Sequence, residues 1–152
     1  MTERTRLAAQ RHAWAAFLVA HARLLERVEA ALQAAGLPPL AWYDVLWALE
    51  NGPEGKLRMH ELAERIVLSR SNLSRLADRL EKAGLIRREA CAADRRGAYC
   101  AISDKGRDMR KAMWPVYRAE IDRWFGRYLT DAQARVIGDC MERIAAGAAG
   151  GA

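Results

Sequence analysis

Between residues 70 and 83, Leu73, Leu76, Ala77 and Leu80 recur at helical spacing. Turning those four toward a core leaves Ser71, Ser74, Arg75 and Asp78 together at i, i+3, i+4 and i+7, with Arg70 and Asn72 beside the start of the helix. The chemistry open to such a face is hydrogen-bond recognition. A guanidinium can grip a guanine edge through two bonds and an Asn amide an adenine edge, while Ser hydroxyls serve bases or phosphates less selectively. The expected contact set with duplex DNA is Ser69, Arg70, Ser71, Asn72, Ser74, Arg75 and Arg79 from this helix and its entry. Downstream, Ala93-Asp94-Arg95-Arg96-Gly97 adds Arg95 and Arg96 at the tip of a loop, where guanidinium groups suit the concentrated negative potential of a minor groove or its phosphates. Asp94 is expected to pair with a neighbouring Arg and hold that loop.

Other chemistry-bearing residues form no such pattern. His12, His21 and His60 are scattered, and no pair of them shares a helical face with a carboxylate at metal-ligand spacing, so no metal site is expected. Cys91, Cys100 and Cys140 are an odd set without ligand spacing, which predicts reduced thiols. Cys91 and Cys100 flank the basic loop on opposite arms, and strand register decides whether their Cα atoms approach within the roughly 7 Å a disulfide needs. No glycine-rich phosphate loop follows a strand, and no nucleophile and base share a plausible constellation. No catalytic residue or cofactor is therefore expected, and the chain is read as a non-enzyme.

The elements that must position the basic face follow from periodicity and breakers. Leu7, Trp14, Phe17, Leu18, His21, Leu25, Val28 and Leu32 predict one long amphipathic helix ended by Gly36 and Pro38-Pro39. Ala41 to Leu49 predicts a second helix stopped at Asn51-Gly52-Pro53, and Lys56 to Arg58 a short strand. Met59 to Val67 is a third helix, and Ser69 caps the helix over 70–83. The short Val67-Leu68-Ser69 connection suits two helices crossing sharply, as in a helix-turn-helix. Gly84 closes that helix, and strands at 85–89 and 98–102 surround the basic loop as a wing. Ser103 opens a long helix with an apolar face from Met109 to Tyr128, bent but not broken at Pro115. Thr130-Asp131-Ala132-Gln133 matches a capping box before a last helix, whose Ala/Gly tail from Ala145 is expected to fray. The fold class is mainly α with a small β-hairpin.

Charge agrees with that layout. Residues 56–110 hold 14 Lys/Arg against 8 Asp/Glu, and the remainder of the 152 residues holds 11 against 11, so the whole excess lies in the middle. A basic centre between neutral helical flanks suits a phosphate-binding module, although RNA or acidic lipid attracts the same charge. No run approaches the roughly 20 apolar residues of a membrane span, and Met-Thr-Glu-Arg-Thr-Arg adjoins no signal-type core. The expectation is a soluble, cytoplasmic protein of one domain.

Five segments in order carry a resemblance. They are Leu40-Ala41-Trp42-Tyr43-Asp44-Val45-Leu46; Glu61-Leu62-Ala63; Leu76-Ala77-Asp78-Arg79-Leu80-Glu81-Lys82-Ala83-Gly84-Leu85-Ile86; Asp94-Arg95-Arg96; and Ile102-Ser103-Asp104-Lys105-Gly106-Arg107. Together they resemble the MarR family of bacterial transcriptional regulators over nearly the whole chain. The resemblance implies a winged helix-turn-helix lobe at 40–102 flanked by dimerisation helices at 7–35 and 103–146. It implies an obligate homodimer on a pseudopalindromic operator, often released by a small phenolic or aromatic ligand. Related proteins bind such ligands where the dimer helices meet the DNA-binding lobe, which makes Trp14, Phe17, His21, Trp42, Tyr43 and Trp114 the candidate lining. Such aromatic side chains are more often core than pocket, and His21, within the apolar stripe of the first helix, is read first as a satisfied core histidine. The family's peroxide sensors use a cysteine near the start of the first helix, and none stands there. The rival reading is a winged-helix RNA-binding or protein-interaction module without ligand control.

Overall fold

The computed structural model describes the backbone of residues 3–66, 70–90 and 98–149, and the side chains of these apart from Glu3, Arg4, Arg70 and Ser71. Among the described residues the helices are α1 (Glu3–Ala34), α2 (Leu40–Glu50), α3 (Met59–Arg65), α4 (Arg70–Lys82), α5 (Asp104–Trp124) and α6 (Asp131–Ala149). The strands among these residues are β1 (Lys56–Arg58), β2 (Ile86–Ala90) and β3 (Ala98–Ile102), and short 3-10 turns occupy Pro53–Gly55 and Gly126–Tyr128. The chain divides into two compact units. One holds the residues up to Val28 with those from Arg118 onward, and the other runs from Glu29 to Tyr117.

The unit from Glu29 to Tyr117 is built on an apolar cluster in which Leu46, Leu49, Leu57, Leu62, Leu73, Leu80 and Leu85 are fully buried. The expected hairpin of β2 and β3 is present, and β1 adds a third antiparallel strand on the far side of β3. Register places Cys100 of β3 opposite Leu57 of β1 and Arg88 of β2. Local chemistry delivers the chain to this sheet. Gly84 takes φ +74°, its N–H reaching the Glu81 carbonyl at 2.9 Å and that of Leu85 the Leu80 carbonyl at 2.9 Å. That pair of bonds is a Schellman ending, which a left-handed glycine makes possible. The Lys105 ammonium adds a bond to the Ala83 carbonyl at 2.9 Å. Ser103 then starts α5, accepting the Gly106 N–H at 3.0 Å while its hydroxyl donates to the Gly84 carbonyl at 2.7 Å.

Three boundaries differ from expectation. α3 stops at Arg65, because Ile66 is extended (φ −119°, ψ 149°) and drops its side chain into the core instead of continuing the helix. The connection Val67-Leu68-Ser69 lies outside the described residues. α5 passes through Pro115 without a break but ends at Trp124, so Tyr128 sits in a 3-10 turn, exposed, and not on the face of α5. The tail from Ala145 stays helical to Ala149, where repeated Ala, the strongest helix former, offsets Gly147.

In the other unit α6 opens on the expected capping box. The Thr130 N–H donates to Gln133 Oε1 at 2.9 Å and the Gln133 N–H to Thr130 Oγ1 at 3.3 Å. α6 buries none of its residues. Trp14 and Val136 are each 61% exposed and Ile144 60%, an apolar surface that this unit leaves uncovered.

Candidate nucleic-acid interface

Helix α4 separates its residues as its periodicity predicts. Leu73, Leu76, Ala77 and Leu80 are buried, while Asn72, Ser74, Arg75, Asp78 and Arg79 are exposed. The backbone of Arg70 and Ser71 forms the first turn of the helix. Ser69, Asp94, Arg95 and Arg96 lie outside the described residues, as does Cys91.

Several cations of this unit are engaged by the unit's own residues. Arg87 Nε pairs with Glu89 at 3.0 Å and Lys56 Nζ with Glu54 at 3.0 Å. Arg107 and Arg110 of α5 share Glu50 of α2, the Arg107 contact measuring 3.7 Å. Arg58 donates to the Tyr99 hydroxyl at 3.2 Å, its guanidinium 5.3 Å from the ring centre. Arg75 and Arg79 take no carboxylate partner among the described residues. Their charge is therefore available to an outside anion.

Asp78, grouped by spacing with Ser74 and Arg75, is engaged elsewhere. Its carboxylate accepts Arg88 Nη2 of β2 at 2.7 Å, and the same nitrogen lies 3.4 Å from the Ser74 carbonyl. The Arg88 backbone N–H donates to Glu81 Oε1 at 3.0 Å. Arg88 is the residue that sequence reasoning missed. Its signal was the Arg87-Arg88 pair in a strand, since successive side chains take opposite faces and one of two arginines must turn toward α4.

The candidate ligand residues divide between the units. Tyr43 is buried on α2 and stacks on Trp114 of α5 at 6.1 Å, with Tyr117 edge-on to both at 5.2 and 6.0 Å. Trp42 is half-buried against the core. In the other unit Trp14, Phe17 and His21 follow one another along α1, with ring centres 6.1 and 5.9 Å apart. His21 is exposed, so the core-histidine reading is corrected: the position lies on a helix face that its own unit leaves open.

Beside the aromatic group, Asp44 keeps an exposed edge, yet crowding by its neighbours and the charge of Glu29 push its carboxyl up to about 6. Glu29 itself accepts the Leu40 N–H at 3.1 Å, an anion placed at the start of α2. Tyr117 is raised by burial first and then by Asp44 and Tyr43. Cys100 is buried, its Sγ 3.1 Å from Met59 Sδ, and burial raises its thiol pKa, the mark of an unreactive cysteine. Among the described residues no group of three or more His, Cys, Asp or Glu is placed to hold a metal.

An amphipathic helix with a polar outer face, entered from a short preceding helix and followed by a two-stranded arm on a third strand, is a winged helix-turn-helix. The comparisons agree. The MarR family model matches residues 35–97. Sco3205, a MarR family transcriptional regulator from Streptomyces coelicolor solved in complex with DNA, is 31% identical, with a TM-score of 0.84 over 92% of this chain and 88% of that one. CouR from Rhodococcus jostii RHA1, solved bound to p-coumaroyl-CoA, is 28% identical, with a TM-score of 0.71 over 82% of this chain and 85% of that one. The transcriptional repressor MprA of Escherichia coli is 30% identical over 93 residues, 61% of this chain and 52% of the relative. The chain spans a little over half the length of the curated relatives it matches. This chain belongs to the MarR family of transcriptional regulators.

Proposed function

We propose that the chain acts as a homodimer that binds a pseudopalindromic duplex, represses the genes beside it, and is released by a small aromatic or phenolic ligand. One observation carries the DNA-reading part. Arg75 and Arg79 project, without a carboxylate partner among the described residues, from the exposed side of an amphipathic helix in a fold 31% identical to a regulator solved on DNA. In this reading residues 40–102 form the reading lobe and the helices at 7–35 and 103–146 pair two copies. The bare apolar surface of α1 and α6 supports the pairing, since large exposed apolar patches mark association sites. Repression is supported by the likeness to MprA and ligand release by the likeness to CouR. Trp114, the exposed member of the group it forms with Tyr43 and Tyr117, offers an aromatic surface suited to such a ligand. The protein works by binding alone, with no catalytic step or cofactor, in the cytoplasm where a bacterial regulator meets DNA.

Selection from a random duplex library by the full-length protein tests this. The expected product is one site with two half-sites about 10 bp apart, because a two-fold dimer presents its recognition helices to successive major grooves. Arg75→Ala is expected to flatten preference at one position of each half-site, a loss of about 1–3 kcal/mol of discrimination. Arg96→Ala is expected to weaken all duplexes alike and lower the salt slope by about one per half-site. Equal affinity for duplex DNA and RNA, with no site enriched, overturns the reading in favour of an RNA-binding or protein-interaction module.

A further inference from the structure

We propose that Arg88 and Asp78 form a strut that sets the position of α4, making Arg88 a positioning residue for sequence reading and not a contact of its own with DNA. The inference rests on the DNA-reading function proposed above and names what in this chain holds the reader in place.

Three acceptors on α4 meet a single residue of β2. They are the Ser74 carbonyl, the Asp78 carboxylate and the Glu81 carboxylate, at i, i+4 and i+7, which is one stripe along the helix. The first two take the Arg88 guanidinium and the third its backbone N–H. Seven residues of helix span about 10 Å along the axis. A stripe that long, tied to one point of a strand in the sheet, resists both rotation of α4 about its axis and sliding along it. The apolar side of α4 cannot do this alone. Burial of Leu73, Leu76, Ala77 and Leu80 is non-directional and tolerates small rotations that keep the same groups covered.

The tied stripe adjoins the residues that would read bases. Ser74 carries one of the bonded carbonyls, and Arg75 is the next residue. Arg88 lies opposite Cys100, which is fully buried, and its side chain is 32% exposed against 59% for Asp78. The anchor end is therefore held by the sheet and the free end grips the helix. Pairs this exposed contribute little to stability, so the effect belongs in discrimination and not in the melting temperature.

Asp78 gives the test its sign. It is a carboxylate on a surface otherwise prepared for phosphate, so on charge alone Asp78→Asn tightens binding to every duplex. As half of a strut its loss instead lowers the preference for the right one. The measurement is the affinity of full-length wild type, Asp78→Asn, Arg88→Ala, Arg88→Lys and the double variant Asp78→Asn/Arg88→Ala. The probes are the duplex that wild type selects from a random library and a scrambled duplex of equal composition, each across a salt series. The strut predicts that each single loss cuts the selected-to-scrambled ratio about tenfold, the scale of one good base contact, and that the double variant loses no more than either single one. Arg88→Lys keeps the charge but not the planar fork, so it is expected to hold scrambled-duplex affinity and recover only part of the ratio.

Uniform tightening by Asp78→Asn with uniform weakening by Arg88→Ala overturns the strut and makes Arg88 a phosphate contact. An unchanged ratio in both overturns it as well. If Arg88→Ala unfolds through lost packing over Cys100, Asp78→Asn decides alone, being isosteric at an exposed position. A wild type that enriches no duplex defeats the DNA-reading function itself, and the strut falls with it.

Discussion

Asp44 shows what a single side chain brings to a site crowded with aromatic rings and a second carboxylate. Its carboxyl titrates at about 6, against an ordinary value of 3.8, because its neighbours strip water from the charged form and Glu29 repels it. Between those two values the folded chain holds a proton that the unfolded chain has released. Stability therefore falls as pH rises through that window, the contribution being complete below the lower value and gone above the higher one. Asp44→Asn is expected to melt higher than wild type at about pH 7.5 and level with it near pH 4, as followed by calorimetry. An equal offset at both pH values would assign the effect to packing instead of charge. The residue itself was visible in the sequence, within Ala41-Trp42-Tyr43-Asp44, but its partner Glu29 stands on another helix and no local pattern connects them.

The start of α5 lies close against the residue that leads into β2. A Cβ built on Gly106 would lie 2.1 Å from the Leu85 carbonyl oxygen and 2.9 Å from Ile102 Cγ1. The first contact is with backbone, which cannot swing aside, so any side chain here pushes α5 off the end of β2. Gly106→Ala is expected to lower stability by about 1–3 kcal/mol, read as a lower denaturation midpoint with unchanged denaturant dependence. A midpoint equal to that of wild type would show that α5 shifts freely. The same junction shows which features the sequence makes legible. The glycine ending of α4, the Ser103 start of α5 and the Thr130-Gln133 box are written in residues a few positions apart, and each is found as expected. The burial face of α4 follows from its period. By contrast, the pairing of β1 with β3, the early end of α3 and the grip of Arg88 on Asp78 depend on groups distant in sequence or on competition for the core. Alternation in β2 says that Arg87 and Arg88 diverge, but not which of them faces α4.

At the scale of the molecule the unpaired apolar surface governs behaviour. α6 contributes 19 residues and buries none of them, and Val136 and Ile144 stand more than half exposed. If two copies pair across this surface as proposed, a charge placed on it opposes the pairing directly. Val136→Asp with Ile144→Asp is expected to move the protein from dimer to monomer in sedimentation velocity at micromolar concentration. A wild type that sediments as a monomer under the same conditions removes the basis of the proposal. If two copies do pair there as proposed, the bare face of α6 has a further result for a living cell. A helix that is covered only by its twin is covered in proportion to how many twins are present. Abundance then enters the folding equilibrium itself, and the dilute molecules, with their greasy helices open, are the ones quality-control proteases meet first. Synthesis has to outrun that clearance before any stable regulator accumulates, so the supply of the protein acquires a threshold set by the surface of one helix.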